Sequence, residues 1–171
     1  MKTMAIWLDR LSARLNSLAL WGAIAIVGTL VVVAMWQVIA RYILAQPPIW
    51  TEELARYLMV WGALLGGSCA FRSHADPSLF PAQRNIGGLT SLLRALGAFI
   101  FIAPILWYSI FGLNGNIGAG YIGRLLGRKA ETLDLPMAVF GMAIPIAFAL
   151  ILVHLLADLA LHLSGQKSSE N

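Results

Sequence analysis

The densest group of polar and aromatic side chains follows two consecutive prolines. It reads Trp50-Thr51-Glu52-Glu53-Leu54-Ala55-Arg56-Tyr57. A spacing of four residues predicts that Glu52 and Arg56 share one helix face, with Glu53 and Tyr57 on the neighbouring stripe. Carboxylates in the first turn also interact favourably with the helix dipole. The segment is therefore either a helix start capped by Thr51 or a docking surface for another protein, with Trp50, Tyr57 and Trp61 as aromatic anchors.

A second polar pair, Gln37 and Arg41, lies at the end of a long uncharged stretch. Arg41 either extends its guanidinium along the helix toward water or forms a salt bridge with Glu52 or Glu53. The salt bridge would pin the first two helices of the chain together.

Small residues recur every four positions after the polar cluster, at Gly62, Gly66 and Ala70. Such a stripe allows another helix to approach closely. Packing within the chain and packing against another subunit are both consistent with this pattern.

The histidines are the residues that could hold a cofactor. His74 and His154 fall on the same predicted side of the membrane, where a pair of histidines can bind haem, as in an anchor subunit of a redox complex. No Asp or Glu lies in the middle of a predicted span, and Asp158 lies at the end of the fourth, so a buried carboxylate for proton coupling is lacking. We therefore expect no enzymatic activity, metal or cofactor, and haem binding is the alternative.

The elements that position these residues are membrane helices. Hydrophobic residues make up 59% of the 171 positions and charged ones 12%, whereas a soluble domain is about 25% charged. We predict an all-α integral membrane protein with no soluble domain and a short amphipathic surface helix between Pro81 and Arg94. Its four transmembrane helices span about 16–40, 52–72, 95–113 and 135–157. Five glycines after the third helix predict a flexible or re-entrant connection.

Lysine and arginine counts favour both termini in the cytoplasm. Four spans place the termini on one side, with seven basic residues there and five on the other. The seven are Lys2, Arg10, Arg14, Arg72, Arg84, Arg94 and Lys167, and the five are Arg41, Arg56, Arg124, Arg128 and Lys129. The net charge of +4 suits loops on the lipid bilayer, and no basic patch with interleaved aromatics indicates nucleic-acid binding.

Over essentially its whole length, the chain resembles the DctQ-like small membrane subunits of tripartite ATP-independent periplasmic (TRAP) transporters. The resemblance rests on Arg41-Tyr42, the segment Trp50–Tyr57 with Trp61 and Gly66, Arg72 and His74, Thr132-Leu133-Asp134-Leu135-Pro136, and Pro145. The sequence departs from the family after His74, where Ala75-Asp76-Pro77 intervenes.

This resemblance implies a multi-pass protein of the bacterial inner membrane. Its implied partners are a large membrane subunit of about twelve spans, which carries the solute, and a periplasmic solute-binding protein. The family uses an ion gradient to take up organic acids, and the small subunit acts as a scaffold. Partner contacts are then expected at Arg41, Trp50, Glu52, Glu53, Arg56, Tyr57, Trp61 and His74, with helix packing at Gly62, Gly66 and Ala70.

Overall fold

The computed structural model describes residues 2–46, 48–73, 75 and 87–164. These residues form six helices: α1 (Lys2–Tyr42), α2 (Trp50–Arg72), α3 (Gly87–Ile110), α4 (Tyr121–Leu126), α5 (Met137–Gly141) and α6 (Ala143–Ser164). The remaining contacts of a β type in the described part are two isolated bridges. The all-α membrane fold predicted from the sequence is confirmed.

Among the described residues, three helical segments are long and apolar enough to cross a bilayer. They are Thr3–Tyr42, Trp50–Arg72 and Met137–His162, the last of which joins α5 and α6. A shorter apolar stretch, Ala95–Ile110, lies within the 24 residues of α3. The division into four spans stays a prediction, with α3 as the remaining span.

Helix α1 is longer than the span predicted within it. Its 41 residues extend to about 62 Å, roughly twice the thickness of a bilayer core. The additional turns at its beginning carry Asp9 and Ser12, whose side chains are buried against other helices. Residues 2–15, which the sequence pattern left outside the span, therefore belong to α1.

The bundle is built around α6. Helices α1, α2 and α6 pack against one another, and α3 packs against α6. A cluster of small and medium side chains, Ala19, Ala23, Leu65 and Cys69, fills the interior, with Leu150 of α6 packed against it. Small residues let helix axes approach closely, which is how membrane helices gain van der Waals contact.

The small residues of the stripe on α2, which are Gly62, Gly66 and Ala70, differ in their surroundings. At Gly62 an added Cβ would lie 3.3 Å from Val27 and 3.5 Å from Ile26, so this glycine packs against α1. At Gly66 nothing lies within 4 Å of such an atom among the described residues, and the neighbouring Gly67 is exposed. Gly62 therefore packs within the chain, whereas Gly66 and Ala70 are half-buried.

The connection between α3 and α5, predicted to be flexible or re-entrant, contains a turn and the short helix α4. Helix α3 ends at Ile110 instead of Leu113. Phe111 then pairs with Ile117 across a turn that precedes α4. Gly115 and Gly118 take positive φ angles of 72° and 87°, a backbone region that favours glycine. The glycines thus shape one tight turn.

A proline in the first turn of α6 accounts for the break between α5 and α6. Pro145 has no N–H to donate to the carbonyl one turn earlier, so the helical hydrogen-bond pattern is interrupted at Met142. The predicted surface helix falls largely on residues outside the described ranges, and its described part, from Gly87, is continuous with α3.

Candidate functional site

The carboxylate of Glu53 holds a loop that lies almost eighty residues later in the chain. Glu53 is 3% exposed. Its Oε1 accepts the backbone N–H of Glu131 at 2.9 Å, and its Oε2 accepts those of Thr132 at 2.7 Å and Leu133 at 3.2 Å. The Thr132 hydroxyl also donates to Oε2. Three successive N–H groups aimed at one carboxylate form an anion-binding nest, which we call the Glu53 clamp.

Tyr57 extends the clamp by one helical turn. Its hydroxyl donates to Glu53 Oε1 at 3.0 Å, as the spacing of four predicts. Its ring stacks on Phe140 of α5, with centroids 3.7 Å apart and planes 9° from parallel. The start of α2 is therefore fastened both to the loop before α5 and to α5 itself.

The clamped loop has its own internal bonds. Lys129 pairs with Pro136 in an isolated bridge, and the N–H of Met137 donates to the carbonyl of Arg128 at 2.9 Å. The ammonium of Lys129 lies 2.6 Å from Asp134 Oδ1, with both side chains exposed. Asp134 does not cap α5, because that helix begins at Met137 behind Pro136.

An open groove of about 590 Å³ lies beside the clamp. Charged side chains of α2 and the loop line it, namely Arg56, Arg128, Lys129 and Glu131, with Tyr57 between them. Arg56, Arg128 and Glu131 are exposed. Within the described ranges, neither of these two guanidinium groups lies in an ion pair, whereas Lys129 is engaged by Asp134. The groove therefore presents two available guanidinium groups.

Arg41 and Glu52 join α1 to α2 at the same end of the bundle. The Arg41 guanidinium lies 3.3 Å from Glu52 Oε1, and the Gln37 amide donates to the same oxygen at 3.2 Å. Of the two acidic partners that the sequence offered to Arg41, the structure pairs it with Glu52. Both charged side chains are more than half exposed, so the pair contributes at most about 1 kcal/mol.

The aromatic anchors and Thr51 occupy different surroundings. Trp50 is exposed, whereas Trp61 is half-buried and packs against the interior cluster between α1 and α2. Thr51 does not cap α2, because the helix already begins at Trp50 and the Thr51 hydroxyl donates instead to the carbonyl of Pro48 at 2.7 Å. His74 lies outside the described residues.

A second polar network ties three helices together at the opposite end of the bundle. Arg72 of α2 lies 3.1 Å from Asp9 of α1 and also donates to the Ser12 hydroxyl. Ser12 in turn is 2.7 Å from Nδ1 of His154 on α6. Asp9, Ser12 and His154 are buried. Charged groups buried together in this way hold their helices in one register, because separation would leave a charge without its partner.

The two long-range networks were predicted only in part. Glu53, Arg72 and His154 were identified from the sequence, but no role was assigned to Asp9 or Ser12. Their spacing of three residues on one face of α1 was the available signal. The loop that meets Glu53 gave no such signal, because its backbone N–H groups make the contact.

Two comparisons with known proteins agree with this architecture. Residues 30–165 match the model of the family described as tripartite ATP-independent periplasmic transporters, DctQ component. The chain is also similar to the sialic acid TRAP transporter small permease protein SiaQ of Vibrio cholerae serotype O1, at 30% identity over 89 residues. That alignment covers 46% of this chain and 51% of the relative, about half of its length. Because the family match extends over most of the sequence, this chain belongs to the DctQ component family of tripartite ATP-independent periplasmic transporters.

Proposed function

We propose that this chain is the small membrane subunit of an ion-gradient-driven TRAP transporter that takes up organic acids. It scaffolds the large transport subunit in the bacterial inner membrane and supports docking of the periplasmic binding protein. The family match over residues 30–165 carries this assignment. The name of the similar Vibrio cholerae protein specifies an acid as the solute of its transporter, which supports the solute class.

The scaffold role is supported by the outer faces of the helices. Large apolar side chains point away from the bundle along α1 and α3, including Trp21, Val32 and Ile100, each at least 66% exposed. Such faces contact lipid or another membrane protein. On α2 the exposed Gly67 lies next to Gly66, which offers a close approach to a helix of the large subunit.

The orientation that fits this role places both termini in the cytoplasm. The Glu53 clamp and the groove then face the periplasm, on the side from which a binding protein approaches. A reporter active only in the cytoplasm, fused after Asn171, tests the orientation. An inactive fusion that is present at normal levels in the membrane would reverse it.

Docking of the binding protein at the groove is supported by its charge. Arg56 and Arg128 present guanidinium groups that pair well with carboxylates in a bidentate geometry. Glu53 takes part indirectly, since its carboxylate is occupied by the loop that positions Arg128. Glu52 and Arg41 flank this surface as an exposed pair.

The first experiment identifies the partners. The chain is tagged at its C-terminus in its native cell, extracted in mild detergent and analysed by mass spectrometry. A stoichiometric subunit of about twelve spans supports the assignment. A preparation that contains soluble redox subunits, or this chain alone, would refute it.

The second experiment tests docking separately from assembly. Arg56→Glu combined with Arg128→Glu is expected to weaken binding of the periplasmic protein to the reconstituted complex by at least about tenfold, since close interfacial charge pairs contribute 1.5 kcal/mol or more. Arg124→Glu, which reverses an exposed charge on α4 outside the groove, is the matched control. Equal binding by both variants, with the large subunit still present, would remove the groove from the docking surface.

A further inference from the structure

One face of α1 carries two exposed arginines between large apolar side chains. Spacings of three or four residues place five side chains in one stripe along the helix, namely Trp7, Arg10, Arg14, Leu18 and Trp21. All five are exposed, and the three apolar ones are each at least 62% exposed. We call these five residues the arginine stripe.

The arginine stripe faces away from the rest of the bundle. Ser12 and Arg14 are two residues apart, as are Ala19 and Trp21, and this separation corresponds to about 200° around a helix. Ser12 contacts α2 and α6, and Ala19 belongs to the interior cluster, so both are buried. Arg14 and Trp21, on the opposite side, are exposed. The stripe is therefore the outer face of α1.

Two contacts between α1 and α2 indicate the depth of the two arginines in a bilayer. Arg41 meets Glu52 at one end of the bundle, and Ser12 meets Arg72 at the other. The helical rise from Ser12 to Arg41 is about 44 Å, which matches the thickness of about 40–45 Å of a bilayer with its headgroups. Both arginines of the stripe lie two residues from Ser12 in sequence. Their guanidinium groups therefore lie at the level of the lipid headgroups.

The positive charge of the stripe is not balanced by α1 itself. Asp9 is the acidic residue of this helix, and its carboxylate is directed into the bundle, 3.1 Å from the guanidinium of Arg72. Arg10 and Arg14 are four residues apart, a spacing at which like charges repel each other. An anion held between the two guanidinium groups would replace this repulsion with attraction. The outer face of α1 is therefore suited to an anionic ligand.

We infer that the arginine stripe binds an anionic phospholipid. The lipid phosphate pairs with Arg10 and Arg14, since a guanidinium group binds phosphate through two parallel hydrogen bonds. The acyl chains extend along Leu18 and Trp21, which lie about 6 Å and 10 Å further toward the bilayer centre than Arg14. A soluble phosphate or an acidic peptide in the headgroup layer would leave these two apolar side chains without contact.

The headgroup that suits this site carries no positive charge. A choline headgroup brings its own cation close to the two guanidinium groups, whereas a glycerol headgroup leaves the phosphate charge uncompensated. Each arginine near a membrane surface favours an anionic lipid by about fivefold. Two arginines together therefore favour it by about 25-fold. This inference requires that the chain spans a bilayer, and it does not depend on the proposed transport role.

Photo-crosslinking in bilayers tests the site. The full chain is reconstituted into phosphatidylcholine vesicles that contain a small fraction of phosphatidylglycerol or phosphatidylcholine with a photoreactive diazirine in the acyl chains. Cross-links to Leu18 and Trp21 are quantified by mass spectrometry after digestion. We expect phosphatidylglycerol to label this segment about 25-fold more than phosphatidylcholine does. Equal labelling by the two lipids would overturn the inference.

Substitutions of the arginines show whether they select the lipid. Arg10→Gln combined with Arg14→Gln is expected to remove the preference for phosphatidylglycerol, and Arg14→Gln alone to reduce it by about fivefold. Arg124→Gln removes an exposed arginine of α4 and is the matched control, with an unchanged preference expected. An unchanged preference in the double variant would contradict the site, as would an equal reduction in Arg124→Gln. If the double variant fails to fold, the wild-type comparison of the two lipids remains decisive.

Two further measurements separate a lipid from other occupants of this face. Inorganic phosphate at matched ionic strength is expected to leave the labelling unchanged, and a loss of labelling would indicate a site for soluble phosphate. The labelling is then repeated in membranes of the native cell, where the partners of the chain are present. The same lipid preference is expected there. Cross-links from this segment to another protein in place of lipid would show that a protein covers the stripe, and would overturn the inference.

Discussion

Replacement of Glu53 by glutamine is expected to release the loop between α4 and α5. The carboxylate accepts five hydrogen bonds, from the N–H groups of Glu131, Thr132 and Leu133 and from the hydroxyls of Thr132 and Tyr57. Glutamine keeps one acceptor oxygen and turns an NH₂ group toward the donors of the other. At least one buried backbone donor then lacks a partner, at a cost of about 1–3 kcal/mol. The remaining bonds also lose their charge-assisted strength.

The substitution therefore destabilises the closed loop relative to the open loop by about 3 kcal/mol. A change of 1.4 kcal/mol alters an equilibrium by about tenfold, so the open form becomes roughly 100-fold more populated. Global helix content is expected to stay unchanged, because the packing of α1, α2 and α6 does not involve this loop.

Limited trypsin digestion measures the opening directly. Arg128 and Lys129 lie in the clamped loop, and cleavage after them follows the open population when the protease acts slowly. Cleavage at these two bonds, quantified by mass spectrometry, is expected to be about 100-fold faster in Glu53→Gln. Circular dichroism of the same samples checks that the helices remain folded.

The neighbouring carboxylate provides the control. Glu52→Gln removes a charge one residue away, but its partner Arg41 is exposed and the pair is worth at most about 1 kcal/mol. We expect cleavage of this variant to stay within about fivefold of the wild type. If both variants are cleaved at the same rate, the Glu53 carboxylate does not hold the loop.

Three further changes test individual contacts by thermal unfolding in detergent. Tyr57→Phe loses one hydrogen bond of 3.0 Å but keeps its ring stacking, so it is expected to cost about 1 kcal/mol, against about 3 kcal/mol for Tyr57→Ala. A double-mutant cycle of Arg41→Gln and Glu52→Gln is expected to give a coupling below about 1 kcal/mol, and a larger value would mean that the pair is shielded from water. Gly120→Ala is expected to destabilise the connection by about 1–3 kcal/mol, because its Cβ would lie 2.5 Å from the backbone at the end of α3. Gly127→Ala, where no described atom lies within 4 Å, is the control, and equal effects of the two glycine changes would exclude the clash.

The sequence predicted those features that depend on neighbours along one helix. The predicted span 52–72 lies within α2, which runs from Trp50 to Arg72. The spacing of four likewise predicted that Glu53 and Tyr57 share a stripe, and they are hydrogen-bonded. Such patterns follow from the periodicity of a single helix, so the spacing of residues along the sequence is enough to predict them.

Apart from the Arg41–Glu52 pair, which was one of two alternatives, contacts between different helices and loops were not predicted. The nest around Glu53 consists of backbone N–H groups, which every residue except proline carries, so no side-chain pattern distinguishes residues 131–133. The extension of α1 was missed for a related reason. Asp9, Arg10 and Arg14 look like a solvated flank in sequence, whereas Asp9 is buried because Arg72 of another helix meets it.

The two polar networks explain how an apolar bundle acquires a single register. Lipid tails are as apolar as leucine, so burial of apolar side chains does little to choose one helix alignment over another in a membrane. In this chain the Glu53 clamp fixes α2 against α5 and its loop at one end, and the Ser12–His154 network fixes α1, α2 and α6 at the other. A shift of α2 along its axis by one turn would break both networks together. Helices held at both ends in this way are expected to move as one body, which is the mechanical property that the proposed scaffold role requires.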